Sequence, residues 1–371
     1  MLSPRELRHD LHKHPELSLQ EERTTRVIKE NIELMLDKYG HSYKIQRPLK
    51  TGILLDYCPL DSKEYILLRA DIDALPIQEK TGAKFQSINE NMHACGHDIH
   101  TAILYATLRY VLKNQIQKNL IFLFQPAEEE SGGAKKIIDS KILDEYDIKA
   151  AYALHINDEY SAGTIACRPN ILFASSLELD VEFEGKASHI ANADQGRNAL
   201  TALSHFLHQT EKLIEKSSEK VLLGFGEAHS GTARNIIPET ANLKGTLRTL
   251  SMDRANDYFK RIKDVLEQIK SKRGVDYTLQ KGAQYKEVYN SPYLFNKAKY
   301  ALIRDFSFIH CDMKMTAEDF GYFSALYPSL MIWLGSRTGD NVAGLHTPYF
   351  LPDDDIIETG LEINKRLLGI L

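Results

Sequence analysis

The residues from Asn91 to His100 read Asn91-Met92-His93-Ala94-Cys95-Gly96-His97-Asp98-Ile99-His100, one thiol, three imidazoles and a carboxylate within ten positions. Cys95 and His97 are two apart, so an extended or tightly turned backbone presents both side chains on one side. A thiolate beside an imidazole makes a borderline-soft site for a divalent ion, zinc or a close relative. Asp98 opens an apolar-periodic run (Ile99, Ala102, Ile103, Ala106, Val111), which predicts a helix whose N-terminal end lies at the metal. A lone Cys-x-His has a plainer explanation, a buried cysteine among core histidines, and only the surrounding residues decide between the two.

Two pairs of acids stand in matching places. Asp71 and Asp73 follow the apolar run Tyr65-Ile66-Leu67-Leu68, and Glu128 and Glu129 follow Leu120-Ile121-Phe122-Leu123-Phe124 once Pro126 has stopped it. Carboxylates at strand ends cost desolvation unless a cation or donor compensates them; the alternative for each pair is a solvated acidic loop. Adjacent side chains such as Glu128 and Glu129 point different ways, so one can hold a metal while the other faces an attacking water. A third apolar run, 150–154, leads to His155, and a fourth, 330–335, precedes a Gly-rich loop carrying His346.

The elements that must position these residues follow from the same pattern. Each continuous apolar run reads as a strand covered on both faces. Helical periodicity at 99–113, 133–143 and 355–369 lies between or after them, which implies largely parallel crossovers. In open α/β sheets ligands bind at the C-terminal edge of the strands. Metal-capable residues gather at that edge of all four runs, an arrangement that scattered core histidines and loop acids have no reason to adopt. Upstream, 4–38 reads as helix broken near His14-Pro15-Glu16, with Ser3 and Glu6 as a capping box and Pro4 at the first helical position. His9, His12 and His14 on that helix suit solvated or structural roles better than ligation.

The stretch 174–284 has a different character. Leu177-Glu178-Leu179-Asp180-Val181-Glu182-Phe183 alternates strictly, as does 241–248, so one face of each strand is buried and the other wet. Leu200, Leu203, Phe206, Leu207, Leu213 and Ile214 define one amphipathic helix, and Tyr258, Phe259, Ile262, Val265, Leu266 and Ile269 another. Short strands at 221–223 and 275–279 complete the set. The prediction is an α/β protein: a mostly parallel-sheet domain formed by 1–173 and 285–371, with a smaller α/β sandwich inserted at 174–284 as a lid or dimer-forming module. His189, Asn235 and Arg248 are the insert's candidate substrate contacts, Arg248 as a bidentate partner for a carboxylate. Surface polar groups are their plain alternative.

Length and composition agree. A chain of 371 residues, 43% hydrophobic and 26% charged, is long enough for two domains. A net charge of −5 argues against nucleic-acid or membrane-surface partners. No apolar run reaches membrane-spanning length, no signal peptide is evident, and Cys58, Cys95, Cys167 and Cys311 are widely spread, which together predict a cytoplasmic protein.

Three motifs, Arg69-Ala70-Asp71-Ile72-Asp73-Ala74-Leu75-Pro76, Met92-His93-Ala94-Cys95-Gly96-His97-Asp98 and Phe124-Gln125-Pro126-Ala127-Glu128-Glu129, resemble the amidohydrolase branch of the aminoacylase/carboxypeptidase G superfamily of metallohydrolases. The similarity runs from Leu11-His12-Lys13-His14-Pro15-Glu16-Leu17 to His346-Thr347-Pro348. The resemblance implies a two-metal hydrolase of N-acyl amino acids. Cys95, His97, Glu129, His155 and His346 would be the metal ligands, with Cys95 bridging two divalent ions (Zn, Mn, Co or Ni), and Glu128 the general base. Asp71 and Asp73 stand where the wider superfamily has His-x-Asp, and Asp73 would orient a ligand. His189 resembles a lid histidine that reaches the active site across a homodimer interface; Asn235 and Arg248 match lid positions that hold the substrate carboxylate. Two departures stand out. Ile190-Ala191-Asn192-Ala193-Asp194 replaces a His-x-x-Pro-like continuation after His189, and Glu130-Ser131-Gly132-Gly133 intervenes where Gly often follows directly. That Gly-Gly-Ala loop and the short chain are most similar to N-acetyldiaminopimelate deacetylases, which implies release of acetate and L,L-diaminopimelate in lysine biosynthesis. A broader hippurate-type amidohydrolase and a non-catalytic metal-binding protein are the rival expectations.

Overall fold

The computed structural model describes residues 1–40, 43–130, 132–339 and 342–370. The chain divides into two units, one comprising Met1–Leu172, Val288–Met313 and Asp319–Leu371, the other Phe173–Glu287 and Lys314–Glu318. In the first, among the described residues, eight strands form one sheet in the order Tyr43–Gln46, Ile53–Tyr57, Leu120–Gln125, Glu64–Asp71, Asp147–Ser161, Ser329–Arg337, Ile165–Cys167, Phe308–His310. The four central strands run parallel, and antiparallel pairings appear toward both edges. The chain leaves Glu64–Asp71 for its neighbour on one side, Leu120–Gln125, then crosses to Asp147–Ser161 on the other. Such a switch opens a crevice at the strands' C-terminal ends.

The apolar runs behave as their composition demands. Leu120–Gln125 is buried at every position, and Ser329–Arg337 at all but the last. The helix His97–Asn114 is buried almost all round and packs against Pro4–Lys13, Glu22–Tyr39 and Asp355–Ile370 over a core of Leu, Ile, Phe and Tyr side chains. The N-terminal helical region is two helices, Pro4–Lys13 and Glu22–Tyr39, so the break at His14-Pro15 is wider than its sequence suggests. Ser3 and Glu6 form the capping box. The helix expected over 133–143 stops at Asp139. His155 does not follow its strand but lies within it, because that strand continues to Ser161.

The second unit is built on the other periodicity. Leu222–Ser230, Thr240–Thr249, Ser175–Glu184 and Asp276–Tyr285 form an antiparallel sheet in that order. Helices Ala199–Glu215 and Met252–Arg273 cover the apolar face of the sheet, where Leu177, Leu179, Val181 and Phe183 meet Phe206, Tyr258, Ile262 and Leu266. No described helix is long and apolar enough to cross a membrane.

Candidate metal centre

Strand register brings the site together. Asp71 pairs with Gln125, Arg69 with Ala153, and His155 with Trp333, so the end of Glu64–Asp71, the start of the Glu128 loop and His155 stand at one level of the sheet. Gly96, with φ of 85°, turns the chain between Cys95 and His97, and a Cβ there would collide with the Ile156 side chain. Only glycine fits, and the turn aims both flanking side chains at the strand ends. The two loops that complete the site carry non-glycine residues at positive φ, Ala127 (60°) just before Glu128 and His346 (61°). Such conformations persist where surrounding contacts over-determine them. For His346 the contact is its backbone N–H, which donates to the Ala94 carbonyl at 2.9 Å, while Gly344 N–H donates to Asp158 at 2.7 Å.

Cys95 is the shared member of two potential ligand groups. Its Sγ lies 3.4 Å from His155 Nε2 and 3.2 Å from His346 Nε2. One group is Cys95, His97 and His155; the other is Cys95, Glu129 and His346. Glu129 Oε1 lies 3.4 Å from His346 Nε2 and 3.7 Å from His97 Nε2. His97 Nε2 and Glu129 Oε1 are buried without a hydrogen-bond partner, and both face this cluster. Buried polar atoms without partners are costly, so atoms aimed at a common point fit a cation there. Soft sulfur, imidazole nitrogen and carboxylate oxygen together suit zinc or another late first-row ion.

The electrostatics give the same reading. Burial, followed by the carboxylates of Glu129, Glu128 and Asp71, holds the Cys95 thiol well above its ordinary range. Burial disfavours charge on His97, yet Asp71, Asp73 and Glu129 outweigh it and lift that imidazole to about 10. His155, buried and beside His100, is held well below the usual range. Acids crowded around a buried thiol and imidazole favour positive charge at that point, and a bound cation would supply it while holding the thiol as thiolate and the imidazole neutral.

The hydrogen bonds behind the ligands fix their orientation. His97 Nδ1 sits 3.0 Å from the Asp73 carbonyl and 3.3 Å from the Asp73 carboxylate, which turns Nε2 inward. Asp73 in turn accepts from Ser18 (2.7 Å) and from the Glu129 backbone (3.0 Å). Asp71 is fully buried, with Oδ1 on His100 Nδ1 at 2.6 Å and Oδ2 on Arg69 at 2.7 Å. Ile156 N–H donates to His100 Nε2 at 2.9 Å, so the proton of His100 is on Nδ1 and neither nitrogen is left for a metal. The carbonyl of Ile156 holds His155 Nδ1 at 2.7 Å, leaving His155 Nε2 toward Cys95. His100 lies three residues past His97 on one helix face, so the third imidazole of the ten-residue cluster is a support and not a ligand. Arg69, Gln125 and Asp319, also part of this shell, gave no local sign. The histidines of the first helix are all engaged elsewhere: His12 with Asp98 and Glu79, His9 with Asp354, His14 with the Asp10 carbonyl.

The three candidates in the insert are not gathered at one point. His189 pairs with Ile236, and Ile190 N–H donates to the Asn235 carbonyl at 2.9 Å, so His189 and Asn235 adjoin. Arg248 lies eight residues along the strand Thr240–Thr249, about 26 Å from its start. It is half-buried, and no carboxylate among the described residues forms an ion pair with it.

Comparison with known proteins places this geometry. The model for peptidase family M20/M25/M40 matches residues 67–369. The chain belongs to that family. Among relatives of this M20 protein, the N-acetyldiaminopimelate deacetylase of Geobacillus sp. (strain WCH70) is 36% identical over 368 residues, 96% of this chain and 94% of the relative. The protein of the same name from Geobacillus thermodenitrificans (strain NG80-2) is 36% identical over 361 residues, with the same coverage. A solved structure from methicillin resistant Staphylococcus aureus superposes with a TM-score of 0.90 at 25% identity, covering 100% of this chain and 96% of that one. The YXEP protein of Bacillus subtilis, a dinuclear metal binding peptidase of the M20 family, gives 0.83 at 27% identity over 98% and 96% of the two chains. This M20 chain is thus a metal-dependent amidohydrolase by family and fold.

Proposed function

We propose that this M20 enzyme hydrolyses N-acetyl-L,L-diaminopimelate to L,L-diaminopimelate and acetate, in the cytoplasm, as a step of lysine biosynthesis. The observation that carries the reading is the pair of ligand groups sharing Cys95, with the carboxylate of Glu128 beside them, in a chain 36% identical to deacetylases of that name. Cys95, His97, Glu129, His155 and His346 would hold two divalent ions, Zn, Mn, Co or Ni. When bound, such a pair supplies Lewis acidity and makes water acidic enough to attack at neutral pH.

The chain's own residues do the rest. Glu128 takes a proton from the attacking water and returns it to the leaving amine. Asp73 keeps His97 in the ligating tautomer, and Asp71 does the same at one remove, through His100 and the Ile156 peptide, for His155. Arg248 grips the substrate carboxylate; Asn235, which the resemblance paired with Arg248 in that role, adjoins His189 instead, and these two stabilise charge that develops on the acyl oxygen. Arg248 stands about 26 Å along its strand from Thr240, which follows Asn235 by five residues, a span that one small substrate does not bridge. That separation supports a homodimer in which His189 and Asn235 come from one insert and Arg248 from the other.

The test is acetate or amine release by the metal-loaded protein on N-acetyl-L,L-diaminopimelate beside hippurate. Preference for the acetylated diamino acid is expected. Faster cleavage of the bulky benzoyl group would replace this reading with a broad amidohydrolase, and bound metal with no turnover on any acyl amino acid would leave a binding protein.

A further inference from the structure

We propose that Asp319 is the positioning residue for the base Glu128, an inference that rests on Glu128 acting as proposed above. Glu128 and Glu129 ride on a loop that leaves the strand Leu120–Gln125 and enters the helix Gly133–Asp139. The fully buried Asp319 carboxylate holds both shoulders of that loop. Gln125 Nε2, before it, donates to Oδ1 and Oδ2 at 2.9 and 2.8 Å; Ala134 N–H, after it, donates to Oδ2 at 2.8 Å. Arg69 completes the grip, donating to Oδ1 at 2.9 Å. The backbone N–H of Asp319 meanwhile donates to Glu128 Oε1 at 3.4 Å. One residue therefore clamps the loop through its side chain and touches the base through its main chain.

Structural glue is the competing explanation, and charge argues against it. Arg69 is already paired with Asp71 at 2.7 Å, so a single guanidinium serves two fully buried carboxylates. A buried anion on a guanidinium it shares with another carboxylate is a weak stabiliser; apolar residues of similar volume generally do as well or better. Its donors, moreover, sit at the two ends of the loop that carries the base. Displacing a reacting group by about 1 Å costs up to 10²-fold in rate, which sets the expected scale.

Asp319→Asn keeps the volume but turns one donor against another. It is expected to lower kcat roughly 10–100-fold, with KM and bound metal within about threefold of wild type. Combined with Glu128→Gln it should cost almost nothing further, since the base it positions is gone. A crystal structure of the metal-loaded variant should show the Glu128 carboxylate displaced while Cys95, His97 and His155 stay. The proposal fails if Asp319→Asn leaves kcat intact, if its loss is equal in the Glu128→Gln background, or if Glu128 has not moved. Should Asp319→Asn not fold, Gln125→Met, which removes the amide donors to Asp319 and with them the Oε1 that accepts from Arg69 Nε at 2.9 Å, must show the same coupling to Glu128→Gln. A wild-type protein inert toward every acyl amino acid would instead sink the assignment of Glu128 as base, and the crystallographic comparison would still decide the clamp.

Discussion

The two units of this chain solve the same packing problem with opposite treatments of charge. In the second unit the segment Phe173–Glu287 buries apolar side chains on one face of its sheet and no charged side chain, its buried polar groups being Ser175, Ser176, Thr210 and Thr249; the one buried carboxylate among that unit's described residues, Glu318, lies on the short return Lys314–Glu318 beside Asp319. The parallel-sheet unit buries Arg8, Glu21, Arg69, Asp71, Asp73, Glu79, Asp98, Glu128 and Asp319, together with several histidines. Burying acids in such excess over their protein counter-charges is unfavourable. The excess of buried acid in the first unit fits a cation bound there, and on the segment Phe173–Glu287 the half-buried Arg248 is the candidate partner for a carboxylate. On the proposed function, chemistry falls to the first unit and capture of a carboxylate to the second.

The largest test of that division is Glu128→Gln. The amide keeps shape but cannot accept the proton of the attacking water, so kcat should fall by about 10²–10⁴ while bound metal is unchanged. Near-full activity in a metal-loaded variant would move the base elsewhere. Next in size is removal of metal by a chelator. An ion present at a thousandfold excess over its Kd stabilises the folded state by about 4 kcal/mol. Hydrogen exchange on the whole protein should then quicken in the strands Glu64–Asp71 and Leu120–Gln125 and stay as it was in Ser175–Glu184 and Thr240–Thr249. Equal acceleration in both units would break the comparison.

A smaller effect concerns charge buried behind the site. His12 is almost fully buried; burial lowers its pKa, but Asp98 and then Glu79 outweigh this and raise it to about 9. A folded-state value above the unfolded 6.5 means that the protonated imidazole stabilises the fold fully below about pH 6.5, and that this contribution drains away as pH rises through 9. His12→Gln should thus be most destabilising below pH 6.5. Its deficit in chemical denaturation should shrink by about 3 kcal/mol toward pH 10. A deficit independent of pH would show that His12 is neutral and only packed.

How much of this the sequence disclosed depends on the range of the interaction. Continuous apolar runs announced the central strands, and strict alternation announced Ser175–Glu184 and Thr240–Thr249, because burial on two faces or one writes itself into neighbouring residues. Strands of three or four residues, such as Tyr43–Gln46, Ile165–Cys167 and Phe308–His310, are too short to carry a period and were not legible. Glu128 and Glu129 were visible because they follow a strand in a recurring position, and Cys95 and His97 because they crowd into one ten-residue stretch with other metal-capable groups. Arg69 was hidden inside an apolar run, and Asp319 meets it only after the chain returns from 250 positions away. The pure apolar run ends at Leu154, which puts His155 just past a strand by composition alone, whereas backbone pairing with Ser329–Arg337 continues regardless of side-chain polarity.

The finest test addresses the insert alone. Arg248 is half-buried on Thr240–Thr249, its charge disfavoured first by burial and sustained by the fields of Glu178 and Tyr285. A desolvated guanidinium with no ion pair gains most from an incoming carboxylate, and a hydrogen bond to a charged group contributes about 1.5–3 kcal/mol. Arg248→Ala should therefore raise KM for an N-acyl amino acid roughly 10–100-fold, and the corresponding N-acyl amine, which lacks the carboxylate, should be cleaved equally by variant and wild type. Arg248→Lys should recover only part of the loss, because a point charge cannot reproduce the planar fork. If the variant lowered kcat on both substrates alike, Arg248 would act on the reacting centre and the separation of chemistry from capture would not hold.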